Sequence, residues 1–105
     1  MRRVRAFRVR REAIEQLRSW CKQLESRRHE VLETFANETV THESALLGVV
    51  AGEPVLVHLM EAVDLNQARR AAEERPLPID LEHRTVMREV LGDEVELELL
   101  HDVSV

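Results

Sequence analysis

The sequence predicts an α+β fold: an antiparallel sheet with helices on one face, in the order β–α–β–β–α–(α)–β. Alternating or continuous apolar runs at 3–9, 40–50, 54–60 and 94–100 read as strands. Apolar stripes at helical spacing occupy 11–38 and two shorter stretches between 64 and 92. Arg3, Arg5, Arg8 and Arg10 lie on or beside the first strand, and Glu94, Glu96 and Glu98 on the last. Opposite charges on paired strands contribute ~0.2–1 kcal/mol per pair, which favours these two as antiparallel neighbours in a split βαβ sandwich.

Each element follows from local chemistry. RVRAFRV at 3–9 alternates imperfectly and reads as the first strand. Ile14, Leu17, Cys21, Leu24, Val31 and Phe35 recur at steps of three and four, with Arg28 interrupting and Trp20 and Leu32 widening the stripe. Such a helix would reach ~40 Å against ~20 Å for a six-residue strand, so it must overhang the sheet, bend, or pack its end elsewhere. VTHESALLGVV at 40–50 and PVLVHLM at 54–60 form a hairpin around Ala51-Gly52-Glu53, and Pro54 suits the first residue of a strand. Asp64 can cap a helix, with Gln67 as its capping-box partner and Leu65, Ala68 and Ala72 inward; Pro76 and Pro78 end it. Asp80 can cap a third helix with a Val86, Met87, Val90, Leu91 stripe and Gly92 as its C′ residue. EVELELL at 94–100 reads as the last strand, with Val95, Leu97 and Leu99 inward.

Composition bounds the function. The chain has 105 residues, 44% apolar and 33% charged, which fits a single globular domain over residues 1–105. The formal net charge is -5, aromatics are 3% and Tyr is absent, so neither broad attraction to nucleic acid nor a base-stacking platform is expected. The single cysteine, Cys21, permits no intrachain disulfide and fits a reducing cytoplasm. The basic residues 1–12 are followed by no apolar h-region, and the longest apolar stretch, 45–51, falls far short of the ~20 residues that span a bilayer. A cytoplasmic protein with no nucleic-acid and no membrane partner is expected. In VLVHLM both strand faces are largely apolar, whereas helices can cover only one face of the sheet. A homodimer paired through its sheets would cover the other.

The hairpin register decides which polar groups meet. With Gly52-Glu53 as a two-residue turn, Val50 pairs with Val55 and Ser44 lies opposite Glu61; His42, Ser44 and Glu61 then share one face and His58 points the other way. With a loop one residue longer, Glu43 joins Glu61 and His58 joins His42. The shorter turn is preferred. His83 stands three and four residues before Val86 and Met87, on the inward stripe of its helix, with Asp80 three residues back to orient the imidazole. His42, Glu61 and His83 are therefore the catalytic candidates, and Ser44, His58 and Asp80 the ligand-binding candidates, converging on a pocket between sheet and helices. The plainer alternatives are a core histidine beside an N-cap aspartate, and strand-end groups in water. The five histidines show no HxH, HxxxH or CxxC spacing, so no metal is expected. With so few aromatics, no haem, flavin or other cofactor is expected either.

HESALL at 42–47, VHLME at 57–61 and PIDLEHRTVMREVL at 78–91 resemble a family of small uncharacterised bacterial proteins, most specifically around Ile79, Asp80 and His83. The resemblance implies a ferredoxin-like βαββαβ sandwich of the dimeric α/β-barrel type, here with an extra helix before the last strand. That superfamily, at fold level, includes small monooxygenases of the antibiotic-biosynthesis type, haem-degrading enzymes and stress-response proteins, and fold alone transfers none of these activities. The expected function is small-molecule binding in the pocket, with cofactor-free catalysis as its enzymatic form. The alternative is a structural or regulatory dimerisation module.

Overall fold

The computed structural model describes residues 1–105. Strand β1 (Arg2–Val9) leads through a 3-10 turn, Arg11–Ala13, into α1 (Ile14–Ser26) and α2 (Arg28–Glu38). The hairpin β2 (Val40–Val50) and β3 (Glu53–Ala62) follows, then α3 (Leu65–Glu74), α4 (Pro78–Val90) and β4 (Leu91–Val95). The four strands form one antiparallel sheet in the order β2-β3-β1-β4. The first and last strands are thus neighbours, and Arg5 grips Glu94 with two hydrogen bonds of 3.1 and 2.6 Å.

The long helical stripe resolves into two helices because the chain turns at Arg27, whose φ of -102° and ψ of 36° leave the helical region. The Arg27 guanidinium holds the joint from both sides, bonding Glu30 on α2 and Glu82 on α4. These contacts draw both glutamates below the usual carboxylate range. Leu32, expected to widen the apolar face, is exposed, since the bend rotates that side of α2 toward water.

Asp64 caps α3 as expected, accepting from the backbone N–H groups of Asn66 and Gln67. Ala68 and Ala71 are the buried residues of that helix; Ala72, expected inward, is only half-buried. Pro78 does not end a helix but opens α4, where its missing N–H costs nothing. Asp80 is not the N-cap residue. It sits at the third helical position, and its carboxylate accepts the Leu77 backbone N–H at 2.8 Å.

Two further expectations are corrected at the carboxyl end. Gly92 is no helix terminator: α4 passes directly into β4 at Leu91, and Gly92 lies within the strand. The last strand is 91–95 rather than 94–100. Residues 96–105 form no helix or strand, so the alternation of Val95, Leu97 and Leu99 does not place the two leucines on a sheet face. No layer of this chain covers them, and they are 52% and 78% exposed.

The hairpin turn is Ala51-Gly52, with Val50 paired to Glu53, instead of Gly52-Glu53. Both turn residues have positive φ, 52° and 78°, the pattern of a type I′ turn whose twist matches the strands. His42 therefore pairs with Glu61, and Ser44 with Leu59. The offset from the preferred register is two residues, an even number, so the assignment of side chains to faces is unchanged.

Two apolar clusters hold the helices on the sheet. Val9, Ala13, Leu17, Leu56 and Val90 form one, and Val40, Met60, Ala62 and Ala68 the other. Along β3, Leu56 belongs to the first and Met60 to the second. His58 stands between them on the same face, and the site forms in that gap.

Candidate functional site

The helix-covered face of the sheet carries Arg3, Glu43 and His58, and α4 brings His83 and Asp80 over them. These residues, with Thr34, Phe35 and Glu38 of α2, border a cavity of about 220 Å³. A neighbouring cavity of about 480 Å³ runs toward Leu17 and Met87 and shares Arg3, Glu43, His58 and His83. Those four polar groups form the common border of two apolar-walled spaces.

His83 is held by its neighbours. The indole N–H of Trp20 donates to His83 Nδ1 at 2.9 Å, the rings lying 6.1 Å apart. An indole nitrogen only donates, so Nδ1 must be the unprotonated nitrogen and the neutral ring carries its hydrogen on Nε2. Burial pushes the His83 pKa below its ordinary value of 6.5; His58 adds to this, while Glu43 and Asp80 oppose it. At neutral pH His83 is therefore an uncharged donor through Nε2–H, with its basic nitrogen already occupied.

His58 Nε2 stands 3.5 Å from Glu43 Oε2, and both groups are mostly covered. Burial opposes ionisation of Glu43, but the His58 contact and the nearby charge of Arg3 hold its pKa below the ordinary value. A proton on His58 Nε2 faces that carboxylate; when the ring is neutral, Nδ1 is then its accepting nitrogen.

Arg3 is the one group of the cluster left without strong partners. Its Nε is buried and makes no hydrogen bond, and one Nη donates only to the Met60 sulfur at 3.8 Å. Burial and the like charge of Arg5 lower its pKa, although a guanidinium stays charged at any ordinary pH. Asp80, in contrast, is well satisfied. Both its oxygens lie within 2.8 Å of the Thr34 hydroxyl, and it accepts the Leu77 N–H. Glu38 shares the same hydroxyl at 3.1 Å, and burial with the nearby charge of Asp80 pushes its pKa up to about 6.

The sequence-derived candidates fall into two groups. His58, His83 and Asp80 meet on the helix-covered face. His42, Ser44 and Glu61 lie on the opposite face, where His42 Nε2 contacts the Ser44 hydroxyl at 2.9 Å and Glu61 pairs with Arg2. The pocket thus unites His83 with His58 and Glu43, not with His42 and Glu61. Strand alternation is the reason: His42 and Glu61 share a cross-strand pair one residue out of phase with Glu43. Arg3, Glu43 and Trp20 were missed as site residues. For Arg3 and Glu43 the signal was charge on a strand position of core parity. For Trp20 it was a polar indole nitrogen inside an apolar stripe. Cys21 also borders the larger cavity, and burial raises its thiol pKa, as suits a packing residue.

No helix is long and apolar enough to cross a membrane. The fold and site define an α+β chain with a four-stranded antiparallel sheet and a half-buried polar cluster between sheet and helices. The chain belongs to a family of unknown function (DUF6176), whose model matches residues 2–105. No curated protein and no solved structure matches it significantly.

Proposed function

We propose that this chain binds a small molecule in the cavity between sheet and helices. The observation that carries this reading is the half-buried group of Arg3, Glu43, His58 and His83 along an apolar-walled space. Polar groups converging on an apolar wall suit a ligand site, and a core without a ligand would be expected to satisfy them internally. The chemistry open to such a site without a cofactor is proton transfer, with His58 accepting beside Glu43. Mass spectrometry of natively purified protein, before and after denaturation, is expected to release a co-purified small molecule. A clean apo mass, with no binding of any compound in a metabolite screen, would sink the proposal.

The strand order, with two helical segments in each crossover, supports a ferredoxin-like domain of the dimeric α/β-barrel type. A second reading, a dimerisation module, draws on the outer face of the sheet. Val4 and Leu46 there are 50% and 57% exposed beside Val57 and Leu59, and no helix covers them. Pairing of two chains through this face would bury that surface and leave the cavity on the helix side intact.

A further inference from the structure

Resting on the sheet-paired dimer reading above, we infer that residues 96–99 lengthen β4 along the open edge of β1 when a second copy of this chain covers the outer sheet face. β1 pairs with β3 from Arg2 to Arg8 but with β4 only from Ala6 to Val9. The edge from Arg2 to Arg5 is thus unpaired, and an unpaired edge is a template for another strand. The segment that would fill it comes next in the chain. Residues 96–105 form no helix or strand, yet Glu96 and Leu97 share a cleft with Val4 and Arg5, beside that edge.

Register and charge fit the pairing. Phe7 pairs with Glu94 and Ala6 with Val95. The same register continued sets Glu96 opposite Arg5, Leu97 opposite Val4, Glu98 opposite Arg3 and Leu99 opposite Arg2. Opposite charges then face each other twice, and two apolar side chains meet once. Glu96 and Glu98 make no ion pair in the single chain, while Arg5 already reaches Glu94 on the same side of the strand. What the lone chain lacks is a cover. In the lengthened strand Leu97 and Leu99 stand with Val4 on the outer face, where Val4 is 50% and Leu46 57% exposed. Ordering four residues costs backbone entropy, which leucines left in water do not return. Leu97, Leu99, Leu100, Val103 and Val105 are all more than half exposed, an apolar share that a solvated tail does not need. A second copy, docked face to face about a twofold axis, buries Leu97 and Leu99 of each chain against the other's sheet and offsets that cost.

The test is hydrogen exchange of nitrogen-15-labelled protein, followed by NMR at the amides of residues 96–99, in the dimer and in the Leu46→Lys monomer. Alternate amides of the segment are expected to exchange about tenfold more slowly, or slower still, in the dimer. Leu97→Ser, at a position 52% exposed in the single chain and so outside its core, is expected to raise the dimer dissociation constant about tenfold. Equal protection in dimer and monomer would assign the longer strand to the lone chain. Protection in neither, or an unchanged dissociation constant for Leu97→Ser, would leave the segment outside the interface. Each of these results overturns the inference and leaves the dimer standing. A wild-type protein that is monomeric at every concentration overturns both. If Leu46→Lys fails to fold or stays dimeric, dilution of the wild type supplies the monomer.

Discussion

The indole N–H of Trp20 on α1 donates to Nδ1 of His83 on α4 across 2.9 Å. One hydrogen bond thereby joins two of the helices that cover the sheet and determines which nitrogen of His83 carries its proton. Trp20 is only 4% exposed, so the bond is made where water competes poorly.

Trp20→Phe keeps an aromatic ring but deletes this donor. The variant is expected to lose about 1–3 kcal/mol of stability, because the imidazole nitrogen stays covered without a partner. Urea denaturation measures the loss. The nitrogen-15 spectrum of His83 should in parallel change from a single Nε2–H tautomer to a mixture. An unchanged tautomer would show that another group determines it.

Glu38 makes stability depend on pH in an identifiable direction. Its pKa is pushed up to about 6 from an ordinary 4.5, so the folded state holds this proton more tightly than the unfolded state. The ionised carboxyl therefore penalises the fold above about pH 6, and the penalty fades as pH falls toward 4.5. Glu38→Gln is expected to raise the urea midpoint at pH 7.5 by more than at pH 5. His83 acts in the opposite sense: its pKa lies below 6.5, so the stability it contributes at neutral pH is lost as pH falls from 6.5 through its folded value. Equal shifts at both pH values for Glu38→Gln would contradict the assignment.

The exposed apolar residues of the outer sheet face predict a dimer. Light scattering at micromolar concentration is expected to give twice the chain mass of 12.2 kDa. Leu46→Lys places a charge on that face, and it is expected to yield a monomer with unchanged circular dichroism. A wild-type protein that is monomeric under these conditions would refute pairing through the sheet.

Ala51 holds a φ of 52°, a left-handed conformation that its Cβ disfavours. Ala51→Asn creates the Asn-Gly pair preferred in type I′ turns. The substitution is expected to stabilise the hairpin by about 0.5–1 kcal/mol, read as a higher thermal midpoint. A lower midpoint would mean that Ala51 makes a contact worth more than the turn strain.

Much of the fold was legible because its signals are local. The Asp64 cap, the helical stripes and the β2–β3 alternation depend on neighbours within a few residues, and each survives in the structure. The pairing of β1 with β4 was also legible, because Arg5 and Glu94 carry opposite charge on strands that the split βαβ order brings together. The carboxyl-terminal strand was misplaced for a physical reason. Alternation in EVELELL marks a face fit to be covered, but it cannot say whether the same chain supplies the cover, and here Leu97 and Leu99 stay exposed.

The site was only half legible. Periodicity alone determined that His83 points inward and that His58 lies opposite in parity to His42, since both are consequences of helix and strand geometry. Which residues then meet His83 was decided by tertiary structure. The bend at Arg27 and the packing of α4 bring Trp20, Glu43 and Arg3 to it from 63, 40 and 80 positions away in sequence. Local pattern carries no information about such distances. Only the folded chain could show that the tautomer of His83 is determined by an indole, and that the Nε of Arg3, on the border of the same cavity, lacks an acceptor.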